Sequence, residues 1–216
     1  MFSASKRMKF FVSPVNLGAS SARVILSFLF FFSGCAALIY QVIWQRMLFT
    51  IFGVDLESVT IIVSVFMFGL GVGALIGGVL ADRFTTRLLS LYIGIELGVA
   101  IFGFLSPEII TTMGAALASS SEFVTALACF FILAIPTILM GATFPILVTH
   151  VYAVDKNIGR SVGGLYFFNT LGGALGAYFA GFVLLYSMDL YGAVARAADI
   201  NLVIALVALL IFRGRK

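Results

Sequence analysis

One glutamate inside an apolar run is the residue of this chain best placed for chemistry. Glu96 stands nine residues after Arg87, ~13 Å along a helix that rises about 1.5 Å per residue and near the middle of a hydrocarbon core. A carboxylate there is costly and is by default a functional-site candidate; the alternative is a protonated or hydrogen-bonded structural residue. A second constellation comes from spacing. Ser33, Ala37, Gln41 and Gln45 recur every four residues, a narrow small-or-polar face expected to look inward. Tyr40 and Trp44 repeat the spacing on the neighbouring face, ~25 to 32 Å along a helix starting near Arg23. That depth predicts an outer aromatic belt in preference to a ligand-stacking role. Asn169 and Thr170 add polar atoms to another apolar run, read as interhelical hydrogen bonds in preference to pocket lining. Glu96, Gln41, Gln45, Tyr40, Trp44 and Asn169 are therefore the candidate binding residues. The residues offer no nucleophile and base pair, metal cluster or phosphate loop, so no metal and no cofactor are expected. His150 reads as interfacial.

These residues sit in a chain of 216 residues that is 62% hydrophobic and 10% charged, where a soluble domain has about 25% charged residues. The expected class is an all-α integral membrane protein. Six apolar runs, 24–52, 59–81, 88–105, 123–148, 163–186 and 193–212, approach the roughly 20 residues a spanning helix needs. The net charge of +4 does not point to nucleic acid, because the basic residues are scattered over helix ends and form no patch with exposed aromatics. With a cytoplasmic N-terminus and six crossings, every Lys and Arg except Arg46 and Arg196 falls inside. That bias predicts cytoplasmic N- and C-termini. Residues 1–22 form a basic cytoplasmic arm without a signal-peptide core, 23–213 the six-helix membrane domain and 214–216 a cytoplasmic tail. Cys35 and Cys129 lie within spans and read as small apolar fillers.

Two runs are striped with glycine. Gly69, Gly73 and Gly77 recur at spacing four in the second, and Gly172, Gly176 and Ala180 in the fifth. Such stripes let helix backbones approach closely in a membrane. The loose Gly71, Gly73, Gly77 pattern is no dinucleotide loop, since no strand precedes it. Because these are the second helices of two successive triplets, and Gly-Ala-Leu recurs at 73–75 and 173–175, a 3+3 internal repeat is expected. Pro136 and Pro145 predict a kink or local opening in the fourth helix. In the sixth, Arg196 and Asp199 should neutralise each other, with Arg46 as the alternative partner of Asp199.

The segment 77–87, GGVLADRFTTR, resembles the loop between helices two and three of the major facilitator superfamily, G-x-L-a-D-r-x-G-r-R. Gly78, Leu80, Ala81, Asp82, Arg83 and Arg87 match, while Thr85 and Thr86 stand where that pattern has Gly and a basic residue. The resemblance implies a six-transmembrane-helix bundle like one half of such a transporter. Four blocks in order, FFSGCAALIYQVIWQRMLFTIFG, GLGVGALIGGVLADR, IPTILMGATFPIL and GRSVGGLYFFNTLGGALGAYFAGFVLL, are similar to the membrane domain of the fused spermidine synthase-like proteins. That similarity implies a bacterial inner-membrane module tied to polyamine metabolism. The glycine-rich nucleoside-binding turn and catalytic acids of the synthase domain are missing from the sequence, so the expectation is a protein that is not itself an enzyme. It would dock or serve a synthase-like cytoplasmic partner. The alternatives are a half-size transporter that assembles as a homo-oligomer to move a small cationic solute, and a structural subunit of a hetero-complex with another membrane protein. Glu96 with the Gln41, Gln45, Tyr40 and Trp44 faces would then be the anionic and aromatic groups available to a polyamine. The lipid bilayer is the remaining partner.

Overall fold

The computed structural model describes residues 19–52 and 56–212. They form six helices: α1 (Ala19–Phe52), α2 (Leu56–Arg83), α3 (Leu88–Ala116), α4 (Glu122–Asp155), α5 (Ile158–Ser187) and α6 (Leu190–Phe212). All six are long and apolar enough to cross a membrane. Their connections are short and locally closed. Asn157 caps α5 by accepting from the Arg160 N–H at 3.0 Å, and Asp189 accepts from the Gly192 N–H at 2.7 Å at the start of α6. Lys156 ends α4 in the left-handed region, with φ 55, and its N–H returns to the Tyr152 carbonyl at 2.9 Å. Most of the 1–22 arm and all of the 214–216 tail lie outside the described residues, although α1 already begins at Ala19.

In hydrocarbon, apolar side chains gain little by leaving lipid, so helices associate where their backbones can come close. The strongest pairings are α2 with α4, α1 with α5 and α3 with α6. Glycine sets the first two. A Cβ on Gly73 would meet the Ile138 carbonyl, one on Gly77 the Ala142 carbonyl at 2.5 Å, and one on Gly141 the backbone of Leu70. Across the other seam, a Cβ on Gly172 would meet the Phe31 carbonyl, one on Gly176 the Cys35 carbonyl, and one on Gly34 the backbone of Asn169. Gly69 lies against Thr137 of α4. The buried stripe Gly73, Gly77, Ala81 of α2 thus plays the part of Gly172, Gly176, Ala180 in α5. That register differs by one residue from the one suggested by the repeated Gly-Ala-Leu. The third pairing relies on alanine, with Ala193, Ala197, Ala198, Ala205 and Ala208 of α6 all buried. An ion pair between Arg23 and Asp155 ties the start of α1 to the end of α4.

Three expectations change. The third apolar run ends at residue 105, yet α3 continues through Pro107 to Ala116, so Glu108 belongs to the helix and not to a loop. The predicted opening at Pro136 and Pro145 is absent, because α4 is one unbroken helix. Next to Pro136, the Thr137 hydroxyl donates to the carbonyls of Leu133 at 2.9 Å and Ala134 at 3.1 Å, the local back-bond that threonine makes inside helices. The irregular turn lies instead in α5, where Ala180–Leu184 form a π-helical segment that its glycine-rich sequence does not announce.

The glycine seams make a direct prediction. Gly172→Ala drives a methyl group into the Phe31 carbonyl and should cost about 1–3 kcal/mol as overpacking. Gly71→Ala, whose Cβ would meet nothing within 4 Å, should be neutral or slightly stabilising. Thermal unfolding in detergent compares the two, and equal melting temperatures would refute the seam.

Candidate functional site

Glu96 projects from the buried face of α3, where Tyr92, Glu96, Val99, Gly103 and Ser106 follow one another at helical spacing. Its side chain is 1% exposed. The Ser33 hydroxyl of α1 donates to Glu96 Oε1 at 2.7 Å, and the Asn201 amide of α6 donates to Oε2 at 2.6 Å. Both partners are donors, as an ionised carboxylate requires. Two further polar atoms belong to this cluster. The Tyr92 hydroxyl faces the carboxylate from the turn before it without completing a hydrogen bond, and Asn201 Oδ1 is buried and unpartnered. Among the described residues the ion pairs are Arg23 with Asp155 and Arg196 with Asp199 at 3.1 Å, so no cationic side chain there balances Glu96.

Farther along α1 and α3 the seam is aromatic. Tyr40 and Trp44 are wholly buried, stacked with ring centroids 4.7 Å apart. The indole N–H donates to Ser106 Oγ at 2.8 Å, and Ser106 in turn donates to the Gly103 carbonyl at 2.9 Å. Phe66 and Phe102 close around Trp44 at 6.1 and 5.9 Å. Gly103 leaves the space that the Tyr40 ring end fills. The outer aromatic belt expected for Tyr40 and Trp44 is therefore corrected: they form core, because α3 supplies a hydroxyl partner and a glycine gap at their depth.

The six candidate binding residues fall into separate places. Glu96 sits in the polar cluster, Tyr40 and Trp44 in the aromatic core, and Gln41 and Gln45 on the half-buried face of α1 that also carries Ser33. Asn169 donates its amide to the Phe30 carbonyl at 3.1 Å, the interhelical bond favoured for it. Arg196 pairs with Asp199 as expected, while the guanidinium of Arg46 lies 5.6 Å over the Phe49 ring. Of the loop motif, Gly78 stays within α2, and Asp82, Arg83 and Arg87 are exposed around the α2–α3 connection. Asn201 escaped the sequence reading, although it is the one amide in the sixth apolar run. A hollow of about 600 Å³ opens elsewhere, lined by Thr50, Thr111, Gly114, Ser120, Glu122 and Thr125 at the ends of α1 and α3 and the start of α4. Among the described residues no three His, Cys, Asp or Glu side chains come together as a metal site would require.

Fold and site define an all-helical bundle of six membrane-length apolar helices with a buried polar cluster between α1, α3 and α6. No protein-family model matches the chain, and no solved structure matches it. Over 182 residues, 82% of its length, it is 27% identical to a protein of Oceanobacillus iheyensis named polyamine aminopropyltransferase, of which it spans 33%. The chain thus covers about a third of the curated relative it matches. This distant similarity corrects the expectation that the protein is no enzyme, since the relationship found is to an enzyme.

Trp44 is the single tryptophan and reports on the core directly. Its fluorescence should resist both acrylamide and lipids brominated near the headgroups, and Ser106→Ala should destabilise the protein by about 1–3 kcal/mol by orphaning the indole N–H. Strong quenching by the brominated lipids would restore the belt.

Proposed function

We propose that the chain is the membrane-spanning module of an aminopropyltransferase-type system, set in a bacterial inner membrane and working with a synthase-like catalytic unit on its cytoplasmic face. One observation carries this reading: the similarity to the enzyme runs over 182 residues, 82% of a chain that is mostly membrane-length helix, and 33% of the relative. The orientation follows from charge. Arg23, Arg83, Arg87, Lys156 and Arg160 gather at one end of the helices, against Arg46 and Arg196 at the other, which supports cytoplasmic termini.

The half-facilitator architecture and its 3+3 repeat find support in the packing. Exchanging α1 with α4, α2 with α5 and α3 with α6 turns the α2–α4 and α1–α5 pairings into each other and leaves the α3–α6 pairing as itself. The close approaches exchange too: Gly73 on Ile138 with Gly172 on Phe31, Gly77 on Ala142 with Gly176 on Cys35, Gly141 on Leu70 with Gly34 on Asn169. In the same scheme Glu96 corresponds to Asn201, Ala100 to Ala205 and Gly103 to Ala208, all buried. Glu96 and Asn201 then hydrogen-bond across the axis relating the two triplets, which for inverted triplets lies in the membrane plane.

A half-size transporter pairing with a second copy is the alternative reading. It is favoured by the outward faces of α2 and α5, where Gly71, Gly78 and Gly163 have nothing within 4 Å beside exposed Leu75, Val79, Tyr166 and Phe167.

Purification of the tagged chain from native membranes in mild detergent separates the two. The enzyme reading expects the eluate to transfer labelled aminopropyl groups to a polyamine acceptor, and deletion of the gene to change cellular polyamine levels. An eluate without transfer activity, together with unchanged polyamine levels, would overturn it.

A further inference from the structure

We propose that Glu96 is a proton-exchange site within the membrane, loaded and unloaded through the Ser33 hydroxyl. The inference rests on the membrane-spanning part of the function proposed above and is independent of the link to aminopropyl transfer.

The site is too enclosed for a polyamine. Glu96 and Asn201 are 1% and 3% exposed, and the hollow near the ends of α1 and α3 does not include them. A proton needs no cavity. It does need a carboxylate whose neighbours tolerate both states, and the cluster provides them. In the ionised state Ser33 and Asn201 each donate to one oxygen. When a proton arrives, the Oε1–H bond forms and the Ser33 hydroxyl turns to accept from it. The hydroxyl hydrogen of Ser33 then moves to the carbonyl one turn back on α1, a bond that serine makes readily inside helices. Asn201 continues to donate to Oε2, now the carbonyl oxygen of the acid. No other group must move, and the two groups bonded to the carboxylate, Ser33 and Asn201, keep a hydrogen bond to it in both states.

Access follows from the same residue. Of the two hydrogen-bonded partners, Asn201 is sealed, whereas Ser33 is half-buried. It heads the stripe Ser33, Ala37, Gln41, Gln45, all half-buried on one face of α1, on which polar side chains return at Gln41 and Gln45, about two and three turns from Ser33. The charge requirement points the same way. An ionised carboxylate buried without a cation is costly, and a mobile proton supplies the missing charge reversibly. The titratable groups that face Glu96 are Tyr92 on its own helix and Tyr40 on α1. On α6, Arg196 and Asp199 are paired with each other. On α4, packed against α3, Glu122 and Asp155 lie at the helix ends, with Cys129, His150 and Tyr152 between them.

Infrared difference spectroscopy of the intact chain in nanodiscs tests the proposal through the carbonyl stretch of a protonated carboxyl. The expected band grows as pH falls, shifts when glutamate carboxyls carry ¹³C, and is lost in Glu96→Gln. In Ser33→Ala its exchange in heavy water should slow at least tenfold. A chain in which Glu57, Glu108 and Glu122 are replaced by Gln, leaving Glu96 as its one glutamate, gives the Glu96 band alone even where Glu96→Gln does not fold. A glutamate band that is present at every pH, one that is absent at every pH, or a midpoint that follows sodium concentration would each overturn the assignment.

Discussion

A carboxylate surrounded by hydrocarbon has to find hydrogen-bond donors within the protein, and Glu96 finds them on two other helices. That requirement fixes the relation of α1, α3 and α6 more narrowly than apolar packing could, because slipping any one of them by a turn strands a polar atom. The neighbouring contacts conform to it. Alanines bring α6 close enough for Asn201 to reach Oε2, and Gly103 and Ser106 receive Tyr40 and Trp44 two to three turns farther along α3.

The remaining helices are held chiefly by close backbone approach, with the Asn169–Phe30 hydrogen bond and the Arg23–Asp155 ion pair added to it. Along the α2–α4 and α1–α5 seams, each glycine sits where a side chain would run into a carbonyl of the facing helix, and dispersion between touching backbones supplies the attraction that apolar burial cannot. These two seams and the Glu96–Asn201 contact divide the work: the seams pair α2 with α4 and α1 with α5, and the polar contact joins α3 to α6. The large exposed side chains, among them Leu75, Phe123, Tyr186 and Leu210, are left facing outward, where lipid suits them.

The sequence revealed what depends on residue type at helical spacing. The stripes at Gly69, Gly73, Gly77 and at Gly172, Gly176 pack as close-approach faces, Arg196 pairs with Asp199, and Asn169 makes an interhelical bond. It hid what depends on the partner. Tyr40 and Trp44 were read as a belt because in a membrane the lipid-facing and core-facing sides of a helix are both apolar, so depth alone was available to place them. Ser106, the residue that settles their position, lies just past the end of the distant run 88–105 and has no motif. The continuation of α3 through Pro107 and the π turn at Ala180–Leu184 likewise arise from packing that no local pattern encodes. The four sequence blocks pointed toward a synthase-like family, and the expectation that the chain is no enzyme, drawn from missing motifs, is corrected by a similarity spread thinly over 182 residues.

If the polar contact between α3 and α6 organises the bundle, its two sides must be coupled energetically. A double-mutant cycle on unfolding in detergent, with Glu96→Leu, Asn201→Leu and both together, measures this most directly. The account predicts that Glu96→Leu and Asn201→Leu each destabilise the protein, and that the double variant recovers at least about 1 kcal/mol relative to their sum, because no polar partner is left stranded. Strictly additive losses would contradict it.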